Sequence, residues 1–490
     1  MLNVGKETVF YLTPSTVVDA QTVEASLNLS AESKDKIVSV SGYSVSDEVA
    51  IENGFAKCTG KVIFNVVFIG EEPERIETGV KFEFKKPVDE RVKNACCEYT
   101  LRDFEVKDDG GTLFVRCELS KELTLFYENR IEVVNSVDCL SKTEELSYYK
   151  TLITTANMEL DDKFEAQRIK KVLYSSADSC VRSVKTGNNS VTVEGFSVIS
   201  LVSLPFLENS DIVKDTRVIP FKFDFDLNGV TPDFSARAQI STKDLSVKVF
   251  TDEEDSKSVI ESSLSLGFTL IACGKENITC VTDAAALTCQ LNFQKSTCES
   301  SVLSCQRVTS ERVFGKAAVD VPEYSRFIKA IAETVEVEEV KTENGELSIT
   351  GVVRSDCFFV GDNGIVSKKA QLPFNISCDY QGLSALFVRV CAEDLQGRLR
   401  SGKLEQEVTL HVSFCEYETA KTDFVCDIEE GKEIETVNSP ISVYFGKIGD
   451  EEWDVVKTLR VDPSVVYEFN QGISFPLSEK ERIIVLRKEK

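Results

Sequence analysis

The chain has 490 residues, 42% of them hydrophobic, and a formal charge of −25 from 56 basic and 81 acidic side chains. So acidic a surface repels nucleic acid and anionic lipid. With no apolar run of about 18 residues, the sequence offers no membrane-spanning helix.

The N-terminus, MLNVGKETVFYLTPS, has no basic start followed by an apolar core, so no secretory signal is expected and the expected compartment is the cytoplasm. Strand-rich sequence follows, with β-branched and aromatic enrichment and short turns. A glycine closes a short strand at Gly60, and KFEF follows with Phe82 and Phe84 alternating with charge. The same order returns at Gly195 and Gly351. After Gly195 comes RVIPFKFDFD, in which Phe221, Phe223 and Phe225 alternate with Lys222, Asp224 and Asp226. A period of two places three aromatics on one strand face and three charges on the other. After Gly351 comes AQLPFNISCD, which repeats the Pro-Phe step of Pro220-Phe221 at Pro373-Phe374. Each copy then has an Asp before an apolar residue (Asp103, Asp244, Asp394) and a Thr-Leu strand around Thr124, Thr269 or Thr409. A spacing this long gives each copy its own core. Three tandem domains are expected: 1–138, 139–300 and 301–430. The acidic loop Thr251–Lys257 reads as solvated, and 431–440 as an acidic linker.

From 441 the character changes to strand, helix, helix, strand. Asp450 can cap a helix carrying Trp453, Val456 and Leu459, and Asp462 before Pro463 is a helix start. The predicted fold is mainly β: three related sandwich-like domains and a small βααβ unit at 441–490.

Candidates for chemistry are few. The one histidine, His411, shares a strand face with Cys415. That is a conceivable nucleophile pair, weighed against a strand histidine with no special role. The series Cys273, Cys280, Cys289, Cys298 and Cys305 has no C-x-x-C pair and no nearby histidine, so the 16 cysteines read as buried reduced thiols. The acidic pairs Asp108-Asp109, Asp161-Asp162 and Glu253-Glu254 read as solvated turns. Asp103, Asp244 and Asp394 suit a repeated structural role. No metal, cofactor or catalytic residue is expected.

The repeat signature of Gly60, Gly195, Gly351, Phe82, Pro220, Phe221, Pro373 and Phe374 resembles that of SPOCS domains, found in tandem in endospore-forming bacteria. Repeat one departs in having Lys81 before its phenylalanine. The tail is similar to a LysM domain, with Gly449-Asp450, Trp453, Asn470 and the closing strand Ile483–Leu486 on that family's pattern. The resemblance implies a non-enzymatic scaffold or adaptor of spore-coat assembly on the mother-cell side of the forespore. Its tail would bind a protein, such as a SpoIVA-like coat-basement ATPase, through Asp450, Glu451, Glu452, Trp453, Asn470 and Gln471. Glu451 and Glu452 stand where glycan-binding relatives carry a small hydroxyl residue and an aliphatic one. The alternative is a LysM protein that binds N-acetylglucosamine or peptidoglycan.

Overall fold

The computed structural model describes residues 2–30, 34, 36–70, 72–206, 212–251, 257–304, 306–319, 321, 326–361, 364–380, 385–435 and 439–486. Cys305, the pair Glu253-Glu254 with most of its acidic loop, part of the expected linker and the Asp394 side chain lie outside this description.

The protein is mainly β, built of small antiparallel sheets, with a C-terminal region bearing two short helices. The first strands are Val4–Ser30 (β1), Ile37–Glu52 (β2), Phe55–Ile69 (β3), Pro73–Pro87 (β4), Val92–Asp109 (β5) and Thr112–Val137 (β6). They form two sheets, β2-β3-β4 and β1-β6-β5, with Val23, Val62, Phe64, Phe82 and Leu113 buried between them.

The same plan recurs. Leu140–Gln167 (β7), Ile169–Thr186 (β8), Ser190–Pro205 (β9), Val213–Asp226 (β10), Ser235–Thr251 (β11) and Lys257–Ala285 (β12) form sheets β8-β9-β10 and β7-β12-β11. In the third unit, Cys289–Leu303 (β13) and Arg307–Ala318 (β14) both pair with Lys403–Glu433 (β19). Together they stand where β1 and β7 stand in the other units. Arg326–Glu343 (β15), Glu346–Gly361 (β16) and Gly364–Asp379 (β17) make one sheet, and Ala385–Arg400 (β18) flanks β19.

The alternation of RVIPFKFDFD is realised on β10. Phe221 and Phe225 are buried, Lys222, Asp224 and Asp226 exposed, and all three phenylalanines surround Phe268 of β12. Burying each such ring stabilises by about 1.5–3 kcal/mol. Pro220 and Pro373 sit on the edge strands β10 and β17, where a missing N–H breaks no interior ladder.

The units close into a ring. Arg237 of the second reaches Glu98 of the first at 3.3 Å. Arg389 of the third donates to Ile240 O (2.6 Å) and Asp178 (3.2 Å) of the second. Ser39 of the first donates to Asp356 of the third at 2.5 Å, beside an Arg102–Glu336 ion pair at 3.3 Å. Beyond the ring, the far ends of β1/β6, β7/β12 and β13/β19 pack together through Val9, Ile131, Cys280, Cys298 and Phe424. No helix among the described residues is long and apolar enough to cross a membrane.

Candidate functional site

The repeat signature lies in the framework of each unit. Gly60, Gly195 and Gly351 stand directly opposite Phe82, Phe221 and Phe374 in the strand ladders. A Cβ on any of these glycines would come 2.6 Å from that ring and would also strike a backbone carbonyl of the strand on the other side. Asp103, Asp244 and Asp394 fall at register shifts in β5, β11 and β18. Asp103 has φ +52°, and its side chain, like that of Asp244, is exposed. The three aspartates mark β-bulges, which re-aim the strand they interrupt.

His411 does not pair with Cys415. Its Nδ1 lies 2.7 Å from Ser310 Oγ on β14 and its Nε2 2.7 Å from Glu393 Oε2 on β18. The ring is only 5% exposed and packs edge-on against Phe196. A buried imidazole with both nitrogens engaged is satisfied within the fold. The fifteen cysteines among the described residues are unbridged and twelve are buried. Burial pushes the Cys96 and Cys117 thiols up to about 12, the opposite of activation. Among the described residues no three His, Cys, Asp or Glu side chains converge to hold a metal ion.

The tail is built from Ile441–Phe445 (β20), Glu452–Leu459 (α1), Pro463–Phe469 (α2) and Arg482–Leu486 (β21), with β20 and β21 paired. Its inner face buries Val455, Val456, Val466, Ile483 and Val485. Helix α2 starts as expected, with Asp462 accepting from Ser464 N at 2.9 Å and Pro463 in the first turn. Helix α1 is capped by Glu451 and Asp454 rather than Asp450. Asp450 instead accepts from Lys447 N and Tyr444 Oη, both at 2.8 Å. The backbone hydrogen bond from Lys447, then the phenol, hold its carboxyl below the usual range.

The other expected binding residues divide. Trp453 Nε1 donates to Asp283 at the end of β12 (2.9 Å), and Lys457 Nζ lies 2.6 Å from the same oxygen. Burial opposes the Asp283 charge, yet the bonds from Lys457 and Trp453 hold its carboxyl below the ordinary value. Glu451 pairs with Lys142 of β7 at 3.1 Å, and Arg460 donates to Ala286 O at 3.0 Å. Glu452 lies against the Tyr467 phenol. Asn470 exchanges hydrogen bonds with the Ile484 backbone (2.8 and 2.9 Å), tying α2 to β21, and Gln471 is exposed. One end of the tail is thus docked on the body by Glu451, Trp453, Lys457 and Arg460.

The opposite face is open. Ile441, Val443 and Phe445 of β20 stand beside Leu486, Ile484 and Arg482 of β21. Phe445 is 68% exposed and Ile441 54%, with Val443, Ile484 and Leu486 also exposed. Five apolar side chains on one outer face are a contiguous patch, the usual mark of an interaction surface. The period-two pattern of ISVYF and RIIVL carried this signal, since each strand has apolar residues on both faces.

A second feature was not legible in the sequence. At the centre of the ring lies a cavity of about 650 Å³ with a mixed polar and aliphatic lining. It is lined from all three units by β2, β8 and β15 and by β5, β11 and β18.

No protein-family model, no curated protein and no solved structure matches the chain.

Proposed function

We propose that the chain is a non-enzymatic scaffold or adaptor of spore-envelope assembly. On this reading the body is three SPOCS-like domains, each a β-sandwich, and the tail is a LysM-like βααβ module that binds a protein. The observation that carries it is the outer face of the tail sheet. Ile441, Val443, Phe445, Ile484 and Leu486 are exposed together while the other end of the tail is held by the body. A docked module presents this face at a fixed orientation, which reduces what ordering costs a partner on binding.

The order of SPOCS-like repeats and a LysM-like tail resembles the spore-coat morphogenetic protein SipL. The partner in this reading is a SpoIVA-like coat-basement ATPase, met in the mother-cell cytoplasm. The acidic body keeps such a scaffold soluble. Glu451 is occupied by Lys142 and Trp453 by Asp283, so the partner contact shifts from the helix-entry loop to the sheet face.

The test is affinity capture from the native host's lysate with three baits: the whole chain, a chain ending at Ser439, and whole-chain Phe445→Glu. The reading expects one cytoplasmic protein on the first bait and its loss from the other two. Equal capture by all three assigns binding to the body and defeats the reading.

A further inference from the structure

The cavity at the centre of the ring is built from equivalent positions. Glu98, Gln239 and Arg389 each precede the bulge aspartate of their unit by five residues, and all three line the cavity. Three copies of one strand position therefore meet at the junction with three different side chains. Ligand sites favour such junctions between domains.

The polar groups there are incompletely satisfied. Gln239 is only 8% exposed, and its Oε1 has no hydrogen-bond partner among the described residues. Arg237, 3% exposed, lines a smaller recess that shares Glu98, Gln239 and Arg389 with the cavity, and one of its guanidinium nitrogens, Nη1, is likewise unpartnered. A buried acceptor without a donor destabilises the empty site, so an occupant that supplies the donor is favoured.

The lining points to the chemistry of that occupant. Thirteen of its 34 residues carry a hydroxyl, among them Ser41, Tyr43, Ser176, Ser200, Ser241 and Thr334 from all three units. Its acidic residues, Glu98, Glu122 and Asp178, match its basic residues, Arg102, Lys214 and Arg389, in number. Several of these are already paired: Glu98 with Arg237, Asp178 with Arg389, and Arg102 with Glu336. Balanced, paired charge offers no net field for an ion. Hydroxyls, carboxylates and an amide oxygen suit a ligand rich in both donors and acceptors, and Tyr43 and Tyr174 add flat apolar surface.

We infer that the central cavity is a binding site for a neutral saccharide, with Gln239 Oε1 accepting from a sugar hydroxyl. The site is separate from the tail, and it stands or falls independently of the adaptor reading.

The experiment titrates the full chain with maltotriose and with triacetylchitotriose by calorimetry, with inorganic phosphate as the anionic comparator. Saturable binding of at least one saccharide and none of phosphate is expected. Gln239→Leu, which keeps the shape and removes the acceptor, should weaken binding about tenfold. Ser176→Trp, on the cavity wall, should abolish it by filling the space. Circular dichroism and the denaturant midpoint report that each variant is folded. Two variants at different depths keep the test open if one misfolds. Absence of saccharide binding, tighter binding of phosphate, or saccharide binding indifferent to both substitutions overturns the inference. Loss of saccharide binding in Phe445→Glu with retention in Gln239→Leu also overturns it, by moving the site to the tail.

Discussion

Gly195 stands directly across the ladder from Phe221, and the phenylalanine ring occupies the space a glycine Cβ would need. The carbonyl of Cys180 closes the other side, where β8 shifts register between Val181 and Ser183. Bulge, glycine and phenylalanine form one packing unit, repeated at Gly60–Phe82 and Gly351–Phe374. Gly195→Ala should therefore destabilise the second unit by about 1–3 kcal/mol. Phe221→Leu should relieve only part of this, because the carbonyl remains. Denaturant midpoints of the two single variants and the double variant measure the coupling. Additivity would mean that ring and glycine do not share the space.

Docking of the tail has a built-in reporter, because Trp453 is the chain's one tryptophan. Its indole N–H bonds Asp283 Oδ2, which also holds Lys457. Asp283→Ala removes both bonds. It should weaken docking by about 1–2 kcal/mol, allowing for the partial exposure of the pair. The expected outcome is a red-shifted emission and faster proteolytic release of the tail. An unchanged spectrum would show that Arg460, Lys142 and the apolar contact to Leu140 suffice.

The features legible in the sequence were those carried by neighbours along one strand. The Phe221–Phe225 alternation needed only a period of two, and the Gly–Phe signature recurred in order even though its cause, a cross-strand contact, was hidden. His411 shows the limit. Its strand face was readable, and Cys415 is on the same strand, but its partners come from β14 and β18. Which residues flank it depends on registers that pair Ser310 and Cys391 with His411. Likewise Gln239, Glu98 and Arg389 are far apart in the chain and meet only when three units close a ring. The docking of Trp453 on Asp283 spans 170 residues and had no local signal.

The Ser310–His411–Glu393 chain has the residue types of a hydrolase triad, with the exposed Ser310 at its end. The ring nitrogens are used in the opposite sense, however. A serine triad sets Nε2 on the serine and Nδ1–H on the carboxylate, whereas here Nδ1 meets Ser310 and Nε2 meets Glu393. Ser310 should show no activation: a fluorophosphonate probe should leave the intact chain unlabelled at this serine. His411→Phe should instead lower stability, by about 0.5–1.5 kcal/mol, through the hydrogen bonds to Ser310 and Glu393 that it removes. Selective labelling of Ser310, lost in Glu393→Gln, would contradict this and restore an enzymatic reading.

Closure of the ring between its first and third units should carry a pH signature. Asp356 is buried, and that burial raises its carboxyl above the ordinary value, against the hydrogen bond from Ser39 and the charge of Lys369. An aspartate in an unfolded chain titrates near ~3.9. The folded protein therefore holds this proton more tightly than the unfolded chain does. The contribution of Asp356 to stability is fully present below the unfolded value and declines as pH rises through the folded one. At neutral pH the charged group is a net burden on the fold. Asp356→Asn keeps an oxygen to accept from Ser39 and removes the charge. It should be more stable than the native chain at pH 7, and the difference should shrink as the pH is lowered to about 4. Denaturant midpoints of both proteins across that range check the sign. A variant less stable at pH 7, with the gap closing in acid, would mean that Ser39 and Lys369 stabilise the carboxylate by more than burial opposes it.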